Sequence, residues 1–255
     1  MCLLLISYLS HPEYKLIIAA NRDEFFKRPA TPVHFWDKHP NLLAGKDIEA
    51  GGTWLGLTTA GKFSAITNYR DIRNLKQNSP TRGKLVTDFL LNNRSISEFA
   101  KELNENADLY NGYNLIFGNL SGLNYFSNQT KTLYELKPGI YGLSNHLLDT
   151  PWYKVEKSKK LFSKILTNKD LLAEDFFEIL SDKSYSPDDL LPDTGLEKRV
   201  EREISAIFVS TLEYGTRSST VILVNHQNQV TFKEKSLNYE TGNWLKSSFE
   251  FEICE

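Results

Sequence analysis

Hydrophobic and polar positions divide this chain into strand-rich ends and a helical middle. Residues 2–9 and 14–20 are short apolar runs separated by His11-Pro12-Glu13. Because the runs are near-continuous rather than alternating, they read as a β-hairpin buried on both faces. The second run leads into Asn21-Arg22-Asp23-Glu24, after which Pro29 and Pro32 predict an irregular loop. Gly51-Gly52-Thr53-Trp54-Leu55-Gly56-Leu57-Thr58 and residues 62–68, joined by Thr59-Ala60-Gly61, predict a second hairpin. Residues 82–107 have helical spacing in two pieces that break near Asn92-Asn93, and Ser95-Ile96-Ser97-Glu98 reads as a capping box for the second.

Strand patterns return at 114–118, 123–127 and 133–136. A helix is then expected to start sharply, capped by Thr150 with Pro151 in its first turn. Trp152, Val155, Phe162, Ile165 and Leu166 share one face of it, as for a helix lying on a sheet. Further helices are expected over 170–181 and about 196–206, a loose surface loop over 184–193, and strands over 220–225, 229–235 and 249–254. Hairpins imply antiparallel pairing, unlike the strand–helix alternation of a Rossmann sheet. The expected architecture is α+β: antiparallel sheets covered by helices in layers, as one domain over residues 1–255.

Composition narrows the function classes. Lys plus Arg number 30 and Asp plus Glu 32, a net charge of −2, so no concentrated basic face is expected for nucleic acid. The apolar opening is too short to span a membrane and lacks a basic leader region, so neither an integral membrane segment nor export is expected, and the cytoplasm is the default location. Two cysteines, Cys2 and Cys254, cannot form a disulfide framework, although a single bridge between them is left open.

Most motifs are absent. The Gly51–Gly56 run is no dinucleotide fingerprint, because its third position is Thr and a strand follows. No Walker sequence, Gly-x-Ser-x-Gly elbow or zinc-ligand pair occurs, the five histidines are scattered, and no metal site is expected. Asn93, Asn119 and Asn128 lie in glycosylation sequons that, without a secretory signal, are chance matches.

What remains is Cys2. Removal of Met1 ahead of a small residue is routine, and it would leave a cysteine bearing both a thiol and a free α-amine. Reference pKa values of roughly 8.5 and 7.7–8.0 let one residue supply nucleophile and base. Such a site also needs an acid to hold the amine, a cation and oxyanion donors. Arg22 and Asp23 end the paired strand, but alternation points only one of them at the site unless a bulge intervenes. Cys2 can equally be a small buried hydrophobe, and Asn21–Glu24 a charged turn.

Asn21-Arg22-Asp23-Glu24 after an apolar strand, followed by Phe25-Phe26 and Arg28-Pro29, resembles the signature of the NRDE family, also called the Transport and Golgi organization protein 2 family. Met1-Cys2, Gly51–Gly56, Thr67-Asn68-Tyr69, Tyr110–Asn114, Tyr141–Asn145, Thr150-Pro151-Trp152 and Tyr214–Arg217 resemble further family blocks in order. The family is similar to the cysteine N-terminal-nucleophile hydrolases, which include penicillin V and bile-salt amidases, and this implies a four-layer αββα sandwich. The resemblance implies Cys2 as nucleophile, Asp23 holding the amine, Asn68 and Asn145 as oxyanion donors, and Arg217 as a cation near thiol or substrate. The amidases carry Arg-x-x-Asp in the second strand, whereas Arg22 and Asp23 are adjacent here.

Family members are associated with haem trafficking and with acyl-CoA or lipid metabolism. The resemblance therefore implies a small-molecule ligand, either haem, an acyl-CoA or an amide substrate, with no cofactor required. Aromatic residues (Phe25, Phe26, Trp36, Trp54, Tyr69, Trp152) could line an apolar cleft. Nearby cations (Arg22, Lys27, Arg28, Arg70, Arg217) could meet propionate, phosphate or carboxylate, with Asn21 and Glu24 beside them and His146 as a haem ligand. The expected role is binding of haem or an acyl compound. The alternative is a Cys2-dependent amide hydrolase.

Overall fold

A computed structural model describes residues 2–168 and 170–254. In chain order the elements are strands β1 (Cys2–Tyr8), β2 (Tyr14–Phe25), β3 (Ala30–Trp36), β4 (His39–Asp47), β5 (Leu55–Thr58) and β6 (Lys62–Asn68), then helices α1 (Gly83–Leu91) and α2 (Ile96–Glu105). Strands β7 (Tyr113–Asn119), β8 (Gly122–Ser127), β9 (Thr132–Glu135) and β10 (Gly139–Leu143) follow. Helices α3 (Tyr153–Ile165), α4 (Ala173–Leu180) and α5 (Lys198–Glu203) lead to β11 (Tyr214–Asn225), β12 (Gln229–Leu237) and β13 (Trp244–Glu252).

Two antiparallel sheets result. The first runs β10-β1-β2-β11-β12-β13 and the second β3-β4-β5-β6-β7-β8-β9. Side-chain alternation sorts the central strands into three packed interfaces. Leu4, Ile6, Leu16 and Ile18 of the first sheet meet Leu43, Leu57, Phe63 and Ile116 of the second. On the outer face of the first sheet, Leu3, Leu5, Ile17 and Ala19 pack against Val155, Phe162, Phe176 and Leu180 of α3 and α4. Outside the second sheet, Leu42, Ala44, Leu115 and Phe117 pack against Val86, Phe89, Phe99 and Leu103 of α1 and α2. The order helix, sheet, sheet, helix is the four-layer αββα sandwich. Because β1 is buried along its whole length, each of its apolar side chains contributes about 1.5–3 kcal/mol of burial, which explains the continuous apolar run.

Several expectations are corrected. Strands β3 and β4 replace the irregular loop expected after Pro29. Strand β3 lies at a sheet edge and its register slips between Thr31 and His34, so Pro32 costs no ladder bond. Thr150 does not cap α3. Trp152 holds the cap position, and the Thr150 hydroxyl bonds His146 Nδ1 at 2.8 Å. The capping box at Ser95 and Glu98 is formed. Asn21–Glu24 is not a turn but the continuing body of β2. Cys2 is buried, Cys254 is exposed, and they are not bridged. Among the described residues, no helix is long and apolar enough to cross a membrane.

Candidate functional site

At the end of the sandwich where β1 begins, the two sheets part around a cleft of about 720 Å³, a size that suits a small-molecule site. Cys2 opens β1 directly opposite Arg22 on β2 and is 8% exposed at the cleft wall. Met1 lies outside the described residues, so the fate of the α-amine rests on the sequence expectation alone.

Alternation on β2 is strict, and each residue of the Asn21–Glu24 run does something different. Asn21 faces the helical layer, where its Nδ2 donates to the Leu180 and Ile207 carbonyls at 2.8 and 2.9 Å and its Oδ1 accepts from Ser219 at 2.6 Å. It clamps helix to sheet and does not line the cleft. Arg22 and Glu24 face the cleft, 3.8 Å apart, and Arg22 lies 3.8 Å from Asp47. Arg28 completes the cluster through a 2.7 Å bond from Nε to Asp47 Oδ2. Asp23 turns its Oδ1 to the Thr216 hydroxyl at 2.7 Å, and the Tyr214 hydroxyl donates to its backbone carbonyl at 2.8 Å.

The bulge that could re-aim a side chain exists, but on the partner strand. Thr216 pairs with Asp23 and Ser218 with Arg22, which leaves Arg217 as the extra residue. Arg217 and Ser218 both line the cleft. Arg217 Nη1 donates to the carbonyls of Phe25, Phe26 and Arg28 at 2.9–3.0 Å, pinning the chain that follows β2. Arg217 is 8% exposed, and its enclosed Nε has no partner among the described residues.

Burial pushes the Cys2 thiol above its ordinary value and the Asp23 carboxylate adds to this, while Arg22 and a bond from the Asp23 backbone N–H pull it down. Asp23 is itself raised by burial, against the pull of Lys154. Lys154 is fully enclosed behind Asp23, its Nζ donating to the Ile204 and Ala206 carbonyls at 3.2 and 3.4 Å, and burial lowers it to about 8. On β12, Glu234 accepts from the Val33 backbone N–H across the gap between sheets at 2.8 Å, and burial raises it to about 7.

The structure thus gathers Cys2, Arg22, Asp23 and Glu24 with Arg28, Trp54, Asn68 and Arg217 around one cleft. It leaves Tyr69, Asn145 and His146 outside the lining. Asn145 is fully buried, its Nδ2 donating to the Asn68 carbonyl at 3.0 Å, so of the two expected oxyanion donors only Asn68 reaches the cleft. His146 Nε2 bonds the Tyr69 hydroxyl at 2.8 Å and Nδ1 bonds Thr150, and burial lowers its pKa; it is not placed to ligate haem in the cleft. Arg70 is held by Glu201 at 3.0 Å and over Trp152 at 4.7 Å. Trp36 belongs to the α1–α2 core, and Phe25 points to solvent. Sequence reasoning missed Asp47, Arg82, Lys154 and Glu234.

Comparison with known proteins bears on the family and the fold. A family model described as Transport and Golgi organisation 2 matches residues 1–239. The chain is 36% identical over 275 residues to the Transport and Golgi organization 2 homolog of Mus musculus, covering 99% of each. It is 38% identical to the Bos taurus homolog at the same coverage. Among solved structures, a conjugated bile acid hydrolase from Clostridium perfringens superposes with a TM-score of 0.51 over 99% of this chain and 92% of that one. At 9% identity that likeness shows the fold alone.

Proposed function

The chain belongs to the Transport and Golgi organisation 2 family, and from that premise and the cleft's chemistry we propose that it binds a small amphipathic acyl compound with an anionic head, of the acyl-CoA class. The observation that carries this reading is Arg217, a largely buried cation at the cleft wall that forms no ion pair among the described residues. A ligand oxyanion would supply the opposite charge that this guanidinium lacks. Phe26, Ile48, Trp54 and Ile66 supply apolar wall for an acyl chain.

Haem fits less well. Arg217 could meet a propionate, but no histidine lines the cleft, and the Cys2 thiol is held towards its protonated form by burial. No role is assigned to an axially ligated haem.

The test is titration with palmitoyl-CoA. Wild type is expected to bind one equivalent, and Ser236→Phe, which fills the cleft from β12, is expected to weaken binding at least about tenfold while the protein still melts cooperatively. Unaltered affinity in that variant would remove the ligand from the cleft.

One observation favours a second reading, amide hydrolysis. Cys2 lies in the cleft lining at the start of β1, opposite Arg22. In that reading the thiol attacks the acyl carbon, the Cys2 α-amine carries the proton to the leaving amine, and water releases the acid. Cys2→Ser is then expected to abolish turnover of an N-acyl amide and to preserve palmitoyl-CoA binding. Turnover that survives the substitution excludes the mechanism.

A further inference from the structure

The Gly51–Gly56 run, which is no nucleotide fingerprint, has a structural job. It seats the N-terminus of α1 at the cleft. Gly52 approaches the first turn so closely that a Cβ there would sit 2.5 Å from the Gly83 carbonyl carbon. The Thr53 N–H also donates to the Gly83 carbonyl at 3.3 Å. Residues 79–83 consequently form part of the cleft wall.

This helix start is electrostatically unfinished. The cap position is Arg82, it offers no side-chain cap, and the first turn holds no acidic residue. The positive end of the helix dipole, worth about half a charge, therefore faces a cation instead of the anion it favours. Arg82 donates to the Gly112 carbonyl at 3.0 Å, and no ion pair joins it to a carboxylate among the described residues. Beside it, the Ser79 hydroxyl is buried without a hydrogen-bond partner. Arg217, more than nine-tenths buried, lines the same cleft, its Nε enclosed in the wall without a partner among the described residues.

Among the acids of the cleft, Glu24 acts electrostatically on both Arg82 and Arg217 but forms an ion pair with neither. Glu24 and Asp47 are engaged by Arg22 and Arg28, while burial holds Asp23 and Glu234 towards their neutral forms. Arg22, Arg28, Arg82 and Arg217 therefore share the Glu24 and Asp47 carboxylates, and this cationic surplus, with the half charge of the helix dipole, suits the charge of about −1.5 to −2 on a phosphate monoester. Backbone N–H groups at a helix start are suited to its oxygens.

We propose that the N-terminus of α1, with Arg82 and Arg217, is a subsite for the phosphate group of the ligand. This rests on the reading of the cleft as a ligand site and names the head group it takes. Arg82 forks onto two phosphate oxygens, the first free amides of α1 receive a third, and the Arg217 guanidinium closes the side towards Cys2.

Two probes separate the subsite from the wider reading. Inorganic pyrophosphate, followed by phosphorus NMR line broadening, addresses the subsite alone. Saturable broadening is expected for wild type, with loss for Arg82→Gln and for Thr81→Asp, which supplies its own carboxylate at the helix start. Decyl phosphate against decanoate addresses the complete ligand: wild type is expected to prefer the phosphate about tenfold, and both variants to lose that preference with decanoate affinity little changed. Circular dichroism melting of both variants checks the fold. Pyrophosphate broadening that is absent, or that survives in both folded variants, overturns the subsite. If pyrophosphate binds but neither decyl compound does, the subsite stands and the amphipathic ligand is wrong.

Discussion

Replacing Gly52 by alanine tests the contact that aims α1 at the cleft. The added methyl would lie 2.5 Å from the Gly83 carbonyl carbon, 2.6 Å from its oxygen and 2.9 Å from the Lys84 nitrogen. All three are backbone atoms, so no rotamer change relieves them, and the helix start must retreat by roughly 1 Å to reach ordinary van der Waals distance. The helix cannot retreat freely, because Leu85, Val86, Phe89 and Leu90 are locked in the outer core. Overpacking of this kind costs about 1–3 kcal/mol, which for a chain of this size lowers the melting temperature by roughly 2–12 °C. Gly51 is the internal control: its φ is +75° and nothing lies within 4 Å of an added Cβ. Gly51→Ala therefore carries only a left-handed backbone cost of about 1–2 kcal/mol, and Gly51→Asn should recover much of it. The assay is thermal unfolding followed by circular dichroism, combined with pyrophosphate titration. Gly52→Ala should lose both stability and anion affinity, and Gly51→Ala stability alone. A Gly52→Ala protein melting within about 1 °C of wild type, or equal affinity loss in both variants, would refute the reasoning.

Glu234 predicts a pH-dependent stability. Its folded carboxyl sits at about 7 against an ordinary 4.5, so the native state holds that proton more tightly and stability falls as pH rises through the window between them. Glu234→Gln should match wild type in urea unfolding near pH 4.5 and exceed it at pH 8 by up to roughly 3 kcal/mol. The same difference at both pH values would contradict the assignment. Asn21→Ala strands two carbonyls and the Ser219 hydroxyl. It should cost roughly 2–4 kcal/mol in chemical denaturation while leaving palmitoyl-CoA affinity within about twofold, and a selective loss of binding would place Asn21 in the site after all.

How far the residues foretold this can be traced element by element. The unbroken apolar runs of β1 and β2 announce strands buried on both faces, because each face has its own layer to pack against. Ser95 and Glu98 announce a helix start because capping is local chemistry. Strands β3 and β4 were illegible, since proline signals a break unless the strand is known to lie at an edge. The family blocks placed Cys2, Arg22 and Arg217 in one cleft, yet alternation along a chain cannot reveal the bulge that turns Arg217 inward. Asn145 ends a family block and His146 follows it, yet both are held in hydrogen bonds inside the fold rather than at the cleft. Two missed residues did leave signals. Glu234 follows Val230 and Phe232 at the inward positions of an alternating strand, and Arg82 is a cation where a helix start favours an acid.

Strand order also has a consequence for how the protein is made. The second sheet uses β3 to β9 consecutively, so each strand can zip onto the one just synthesised. The first sheet cannot, because β2 must keep one edge open until β11 arrives. At ordinary translation rates of about 5–20 residues per second, the intervening stretch takes roughly ten to forty seconds to emerge. Throughout that interval the apolar hairpin of β1 and β2 is an unsealed template for strand addition by other chains. The cleft inherits the same schedule: Cys2 and Arg22 wait for Arg217 and Ser236, so the pocket is assembled last, as the closing act of synthesis.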